Sequence, residues 1–229
     1  MDLFSLESQI GLTFQNRDLL EQALVHRSYL NENPGFRLSH NERLEFLGDA
    51  VLELAVTEAL YRQYPEKPEG ELTSLRAALV NSKMLAELGD ELRLNDFLRL
   101  SRGEAKDAGR ARQFIVANAL EALIGAIYLD RGYDAARDFV ERTLLGRLAG
   151  VIQNQLYRDP KSLFQEEAQE RVGITPTYEV LQEWGPDHDK HFVIGAYLSG
   201  ELAAQGEGPS KQTAQEEAAR AALRAKGWG

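Results

Sequence analysis

The sequence predicts two domains of different class, an all-α domain over residues 1–156 and a small α+β domain over residues 157–229. Three observations predict it. Up to about residue 156, apolar residues recur at spacings of three and four, as in Leu19, Leu20, Ala23 and Leu24 and again in Phe139, Leu144, Leu145 and Leu148. Runs with strand character are confined to roughly the last 70 residues. Between the two regimes stands Asp159-Pro160, an N-cap residue followed by the residue best suited to a first helical turn.

Taken in order, the helices of the first domain are divided by turn signals at Asn33-Pro34-Gly35, at Pro65 to Gly70, at Gly103 and at Arg131-Gly132. No strand-like alternation of useful length interrupts them. A short joint near residues 150–159 leads to a helix over 160–171, closed by Gly173. Strands follow at 177–182 and 192–198, separated by Gly185-Pro186, with a weaker third at 201–206. A long Ala-rich helix over 210–226 completes an α-β-β-β-α order. That order places helices on one face of an antiparallel sheet.

Composition narrows the function. The 229 residues include no cysteine, which excludes disulfides and thiolate metal sites and fits a reducing cytoplasm. His26, His40, His188 and His191 show no paired metal-ligand spacing, so zinc is not expected. No apolar run approaches a membrane span, and the N-terminus lacks a basic region followed by an apolar one, so neither a membrane nor secretion is expected. The net charge of −10 is unusual for a protein that binds phosphates. Residues 1–159 carry 19 basic and 25 acidic side chains and residues 160–229 carry 7 and 11, so neither part is basic. Any nucleic-acid binding must rest on a few well-placed cations, helix N-termini and hydroxyl contacts, and must weaken with salt.

One segment concentrates chemistry. In residues 41–52, NERLEFLGDAVL, Glu42, Glu45 and Asp49 stand at i, i+3 and i+7 and share one helical face. Crowded carboxylates repel one another unless a cation or a proton offsets the charge. Hydrated Mg²⁺ takes one or two carboxylates and completes its shell with water and phosphate oxygens. A solvated acidic face has the same spacing, so spacing alone leaves both readings open.

The literal string resembles the signature helix of the ribonuclease III family. His26-Arg27-Ser28-Tyr29 and Asn31-Glu32 match the family's approach to that helix. Pro68-Glu69-Gly70, Leu75 to Val80, Arg102-Gly103-Glu104 and the run Leu120 to Asp130 follow in the family's order. The matches extend over the first two thirds of the chain. The resemblance implies a metal held directly by Glu45, Asp49 and Glu121, joined by the residue one helical turn before Glu121. Asp49 and Glu121 would be the catalytic pair. Glu42 and Glu69 are implied to act nearer the substrate or at a second metal. The implied ion is Mg²⁺, with Mn²⁺ as substitute, and no organic cofactor is called for. Gly48, beside Asp49, could leave room for a close approach. Phe46 corresponds to an aromatic that helps close a symmetric dimer, although an ordinary core Phe would look the same.

The chain departs from the family pattern before Glu121, where Asn118 replaces the Asp of the best-studied bacterial members. Asn keeps one carbonyl oxygen but loses the negative charge, and its amide nitrogen donates. Weaker Mg²⁺ binding, or binding through water, is expected at this position.

The second domain resembles the double-stranded RNA-binding domain. Gln165 and Gln169, one turn apart, sit where family members reach a minor groove. Gly185-Pro186-Asp187-His188 resembles the loop that meets a neighbouring minor groove. Ser210-Lys211-Gln212-Thr213-Ala214 resembles the helix start that grips phosphates, with Gln212 where many relatives carry a second Lys. This division suits A-form RNA, which is recognised by shape, 2′-hydroxyls and phosphates over about 16 base pairs. Singly, each feature has a structural reading: a solvated Gln, a loop His, a core Ala helix. Together the two resemblances imply a homodimeric, metal-dependent endonuclease that cuts double-stranded RNA. Its products would carry 5′-phosphates and short 3′ overhangs, and its substrates would be ribosomal and some messenger RNA precursors. The alternative is a non-cleaving duplex binder whose metal site Asn118 has impaired.

Overall fold

Apolar side chains on one face of each segment can leave water only by meeting another helix, and the first 157 residues do this throughout. The computed structural model describes residues 2–106, 109–186 and 190–228. One unit spans Met1–Tyr157 and a second spans Arg158–Gly229. The first contains α1 (Leu3–Ile10), α2 (Arg17–Ala23), α3 (Arg27–Glu32), α4 (Glu42–Gln63), α5 (Glu69–Val80), α6 (Ser82–Glu91), α7 (Arg110–Thr143) and α8 (Leu148–Gln153). Helix α5 begins at Glu69, so Gly70, expected in the preceding turn, lies inside its first turn.

Helices α4 and α7 form the centre of this unit. On α4, Leu44, Val51, Leu52, Ala55, Val56 and Leu60 are buried, and on α7 so are Ala119, Leu120, Leu123, Ile124 and Ile127. The helices cross at two glycines. A Cβ placed on Gly48 would lie 1.7 Å from the Glu121 carbonyl oxygen. One placed on Gly125 would lie 2.3 Å from the Leu44 carbonyl oxygen. The close approach anticipated at Gly48 is therefore that of a neighbouring helix backbone.

The turn expected at Arg131-Gly132 is instead a kink within α7, where Gly132 has φ 82° and ψ 179°. Glycine reaches this conformation without strain, and the apolar face resumes beyond it with Ala136, Phe139 and Val140. Residues Ala111–Gln153 are long and apolar enough to cross a membrane by length and composition alone. Of the most apolar 18-residue window, 56% is buried within the protein, as befits a core helix.

Polar groups fix the entry to α4. Asn41, only 3% exposed, donates from Nδ2 to the Ala23 carbonyl (3.1 Å), and its backbone N–H donates to the Val25 carbonyl (2.9 Å). Burying an amide is tolerated only when it is hydrogen-bonded, so these contacts lock the first turn of α4 onto the end of α2.

In the second unit, α9 (Pro160–Val172) is capped by Asp159, whose carboxylate accepts from the Ser162 N–H, and it ends at Gly173 in the left-handed conformation. Strands β1 (Thr177–Trp184), β2 (His191–Leu198) and β3 (Glu201–Gly208) form one antiparallel sheet in that order. β1 and β3 each run two residues beyond their expected ends. Helix α10 (Lys211–Lys226) lies directly on β3, where a Cβ on Gly206 would fall 2.1 Å from the Ala218 nitrogen. Ala214, Ala218, Ala219 and Ala222 are fully buried there, so the Ala-rich composition serves close helix–sheet packing. Leu163, Phe164 and Ala168 of α9 close the same core.

Candidate functional site

Helical periodicity and the glycine crossing together assemble the acidic site. Glu45 and Asp49 lie one turn apart on α4, and the crossing at Gly48 brings the backbone of Glu121 against that turn. The Glu121 carboxyl is pushed up to about 7, first by burial and then by the negative charges of Asp49 and Glu45. Glu45 is also raised, by burial and then by Glu42, while a hydrogen bond with Asn118 acts in the opposite sense. Asn118 therefore supports the anionic form of Glu45, as an amide donor does. Three carboxylates and one amide from two helices thus lie within electrostatic reach of one another, and the charges of Asp49 and Glu45 disfavour ionisation of Glu121.

The donors are hard oxygens, with neither thiol nor imidazole among them, which is the chemistry that suits Mg²⁺ or Mn²⁺. Among the described residues, no three His, Cys, Asp or Glu side chains form a ready-made ligand set. An ion here would take a partial protein shell and complete it from elsewhere, as Mg²⁺ commonly does. On the donor chemistry and the mutual repulsion of the acids, the residues fit such an ion.

Glu42 stands at the edge of this group, paired with Arg27 at 3.4 Å and beside His40 at 3.7 Å. His26 caps α3: its Nδ1 accepts from the Ser28 N–H at 3.3 Å and lies 2.8 Å from the Ser28 hydroxyl. Burial lowers its pKa, against the pull of Glu104 and Glu42. Ser28 Oγ in turn accepts from the Ser101 N–H, and the Glu32 carboxylate accepts from the Arg102 N–H, which ties loop 99–106 to α3. Glu69 is not brought into the cluster within one chain. It accepts from the Thr73 hydroxyl at 2.9 Å and lines a separate hollow with Tyr61 and Arg76.

On the second unit, Gln165 and Gln169 are exposed on one face of α9. Gln169 donates to the Thr175 hydroxyl at 2.8 Å. Ser210 spends its hydroxyl on capping α10, accepting from the Thr213 N–H at 3.1 Å. Lys211 and Gln212 are exposed in the first turn, and Gln212 donates to Glu216 at 3.0 Å. Gln165 and Gln212 both line a hollow of about 300 Å³, together with Asp159, Lys161, Tyr178 and Glu216. His188 lies outside the described residues.

A family model described as Ribonuclease-III-like matches residues 16–148, and one described as Double-stranded RNA binding motif matches residues 160–226. The chain is 44% identical over 218 residues to Ribonuclease 3 of Desulforamulus reducens, covering 95% of this chain and 89% of that protein. It is 45% identical over 222 residues to Ribonuclease 3 of Carboxydothermus hydrogenoformans, covering 97% and 94%. The chain belongs to the ribonuclease III family. It is an endoribonuclease of that family, with a helical nuclease domain followed by a double-stranded RNA-binding domain. The nuclease domain of the Campylobacter jejuni ribonuclease III aligns with a TM-score of 0.58 and 39% identity, covering 63% of this chain and 97% of that one.

Within this ribonuclease III frame, Phe46 is 82% exposed, which removes the reading of an ordinary core Phe. Leu54 and Tyr61 continue the same exposed side of α4. Sequence reasoning missed Asn41 and Gly125 as builders of the site. Gly125, one turn after Glu121, was the available signal, but its role depends on a helix some 80 residues earlier in the chain.

Proposed function

We propose that this protein hydrolyses double-stranded RNA endonucleolytically with Mg²⁺, or Mn²⁺ in its place, leaving 5′-phosphates and short 3′ overhangs. It acts as a homodimer on ribosomal and messenger RNA precursors in the cytoplasm. The observation that carries the reading is the cluster of Glu45, Asp49 and Glu121, in which burial, and then the charges of Asp49 and Glu45, push the Glu121 carboxyl up to about 7. A divalent ion held by Glu45, Asp49, Glu121 and the Asn118 carbonyl would activate water and offset charge on the leaving 3′-oxygen. The chain's own contribution is positioning. Gly48 and Gly125 set the gap between the acid-bearing helices, Asn41 fixes the entry of α4, and Asn118 orients Glu45. Glu42, at the cluster's edge, and Glu69, on the separate hollow, are assigned to the substrate side.

The RNA-binding assignment covers Gln165, Gln169, His188, Ser210, Lys211 and Gln212, on a domain boundary at 156/157. Phe46, exposed on α4, is assigned to the dimer contact, in keeping with the C. jejuni nuclease domain, which is described as having a region involved in dimer formation.

The competing reading, duplex binding without cleavage, has one observation in its favour: the amide of Asn118 brings no negative charge to the cluster. Incubation with duplex RNA and Mg²⁺ separates the two. Cleavage by the parent protein that disappears in Glu121→Gln supports the enzyme. Binding without cleavage, with cleavage restored by Asn118→Asp, sinks it in favour of the impaired site.

A further inference from the structure

The RNA-binding domain is short of cations, so the distribution of the few it has is informative. Of the seven in residues 160–229, Arg171 pairs with Glu167, Lys190 with Glu183 and Arg220 with Glu217. Arg224 and Lys226 fall in the last turn of α10, where positive charge suits the helix dipole. Lys161 and Lys211 remain, and both sit at the side where α10 begins. Lys211 Nζ lies 5.6 Å from the Phe192 ring centroid. Lys161, on the first turn of α9, donates to Gln215 Oε1 at 2.6 Å and lies 5.3 Å from the Tyr178 ring centroid.

We propose that Lys161 is a second phosphate-gripping cation, held beside the start of α10 by Gln215 and Tyr178, and that it supplies the charge Gln212 lacks. Both partners are neutral, so they fix the ammonium without cancelling its charge. An ammonium has three donors, and Gln215 takes one, leaving two for phosphate oxygens. Holding the long side chain in advance reduces the rotamer entropy lost on binding. Lys161 and Gln212 line the same hollow, so the cation stands next to the substituted position. Asp159 and Glu216 also line it, but Asp159 caps Ser162 and Glu216 accepts from Gln212, and neither pairs with Lys161 among the described residues. Lys211, next to Gln212 in the chain, and Lys161, on the hollow that Gln212 lines, thus form a two-point grip.

This inference rests on the duplex-RNA reading, and the test keeps the two apart. Full-length protein is titrated with a labelled RNA duplex in EDTA, at several salt concentrations. Each phosphate contact contributes about one unit to the slope of log affinity against log salt. Lys161→Gln is expected to lower that slope by about one and to weaken binding several-fold near 0.1 M salt. Lys161→Arg is expected to retain most of both, and Arg220→Gln, already paired, to change neither. An unchanged slope in Lys161→Gln, alongside a reduced one in Lys211→Gln, overturns the proposal and leaves RNA binding intact. Failure of the parent to bind duplex at any salt concentration overturns both.

Discussion

At the scale of single residues, burial, with neighbouring carboxylates behind it, sets the chemistry of the site. The Glu121 carboxyl sits near 7 in the folded protein against an ordinary 4.5. A carboxyl raised on folding favours the native state while it is protonated. That contribution is full below about pH 4.5 and is lost as pH rises through about 7. Without metal, Glu121→Gln should therefore raise the melting temperature by a few degrees at pH 8, where it relieves on the order of 1–3 kcal/mol, and change little at pH 4. Calorimetry at the two pH values checks it, and equal shifts at both would contradict the assignment. Asn118→Asp acts in the other direction. It should lower the Mg²⁺ concentration for half-maximal cleavage by about tenfold, while destabilising the metal-free protein at pH 8. The acids themselves were legible in the sequence because helical spacing is local: Glu42, Glu45 and Asp49 declare a face at i, i+3 and i+7. The neutral step at Asn118 was equally plain. Its hydrogen bond to Glu45 was not, because that contact joins residues 73 positions apart.

At the scale of elements, the crossing of α4 and α7 decides whether those residues meet. Gly48→Ala would place a methyl 1.7 Å from the Glu121 carbonyl oxygen, a backbone atom that cannot rotate away. The helices must part or shift. We expect a loss of at least about 3 kcal/mol of stability together with loss of cleavage, and a milder form of the same result for Gly125→Ala. Thermal denaturation and a cleavage assay on each variant test this, and full activity in Gly48→Ala would refute the crossing as the spacer. Helices, strands and the order of both domains were readable because periodicity and turn chemistry are written within short windows. The kink at Gly132 was misread as a turn for a physical reason. The same glycine signal serves a loop or a bent helix, and only the burial of Ala136, Phe139 and Val140 on the same core distinguishes them.

At the scale of the whole molecule, the exposed side of α4 is the feature one chain leaves open. Phe46 at 82%, Leu54 at 55% and Tyr61 at 74% exposure are spaced along it as a strip of large apolar side chains, with Phe46 next to Glu45. If this strip is the dimer contact, Phe46→Glu should shift the protein to a monomer in light scattering and reduce cleavage of duplex RNA at least about tenfold, leaving the helical circular-dichroism signal unchanged. A dimer that persists in this variant would move the contact elsewhere. The glycine crossing has a wider consequence for such an assembly. Where main chain rests on main chain, the gap between the acid-bearing helices is set by atoms that substitutions away from Gly48 and Gly125 leave in place. The core can then exchange Leu for Ile or Val, to suit warmer or colder conditions, without changing the spacing of the acids proposed to hold the metal.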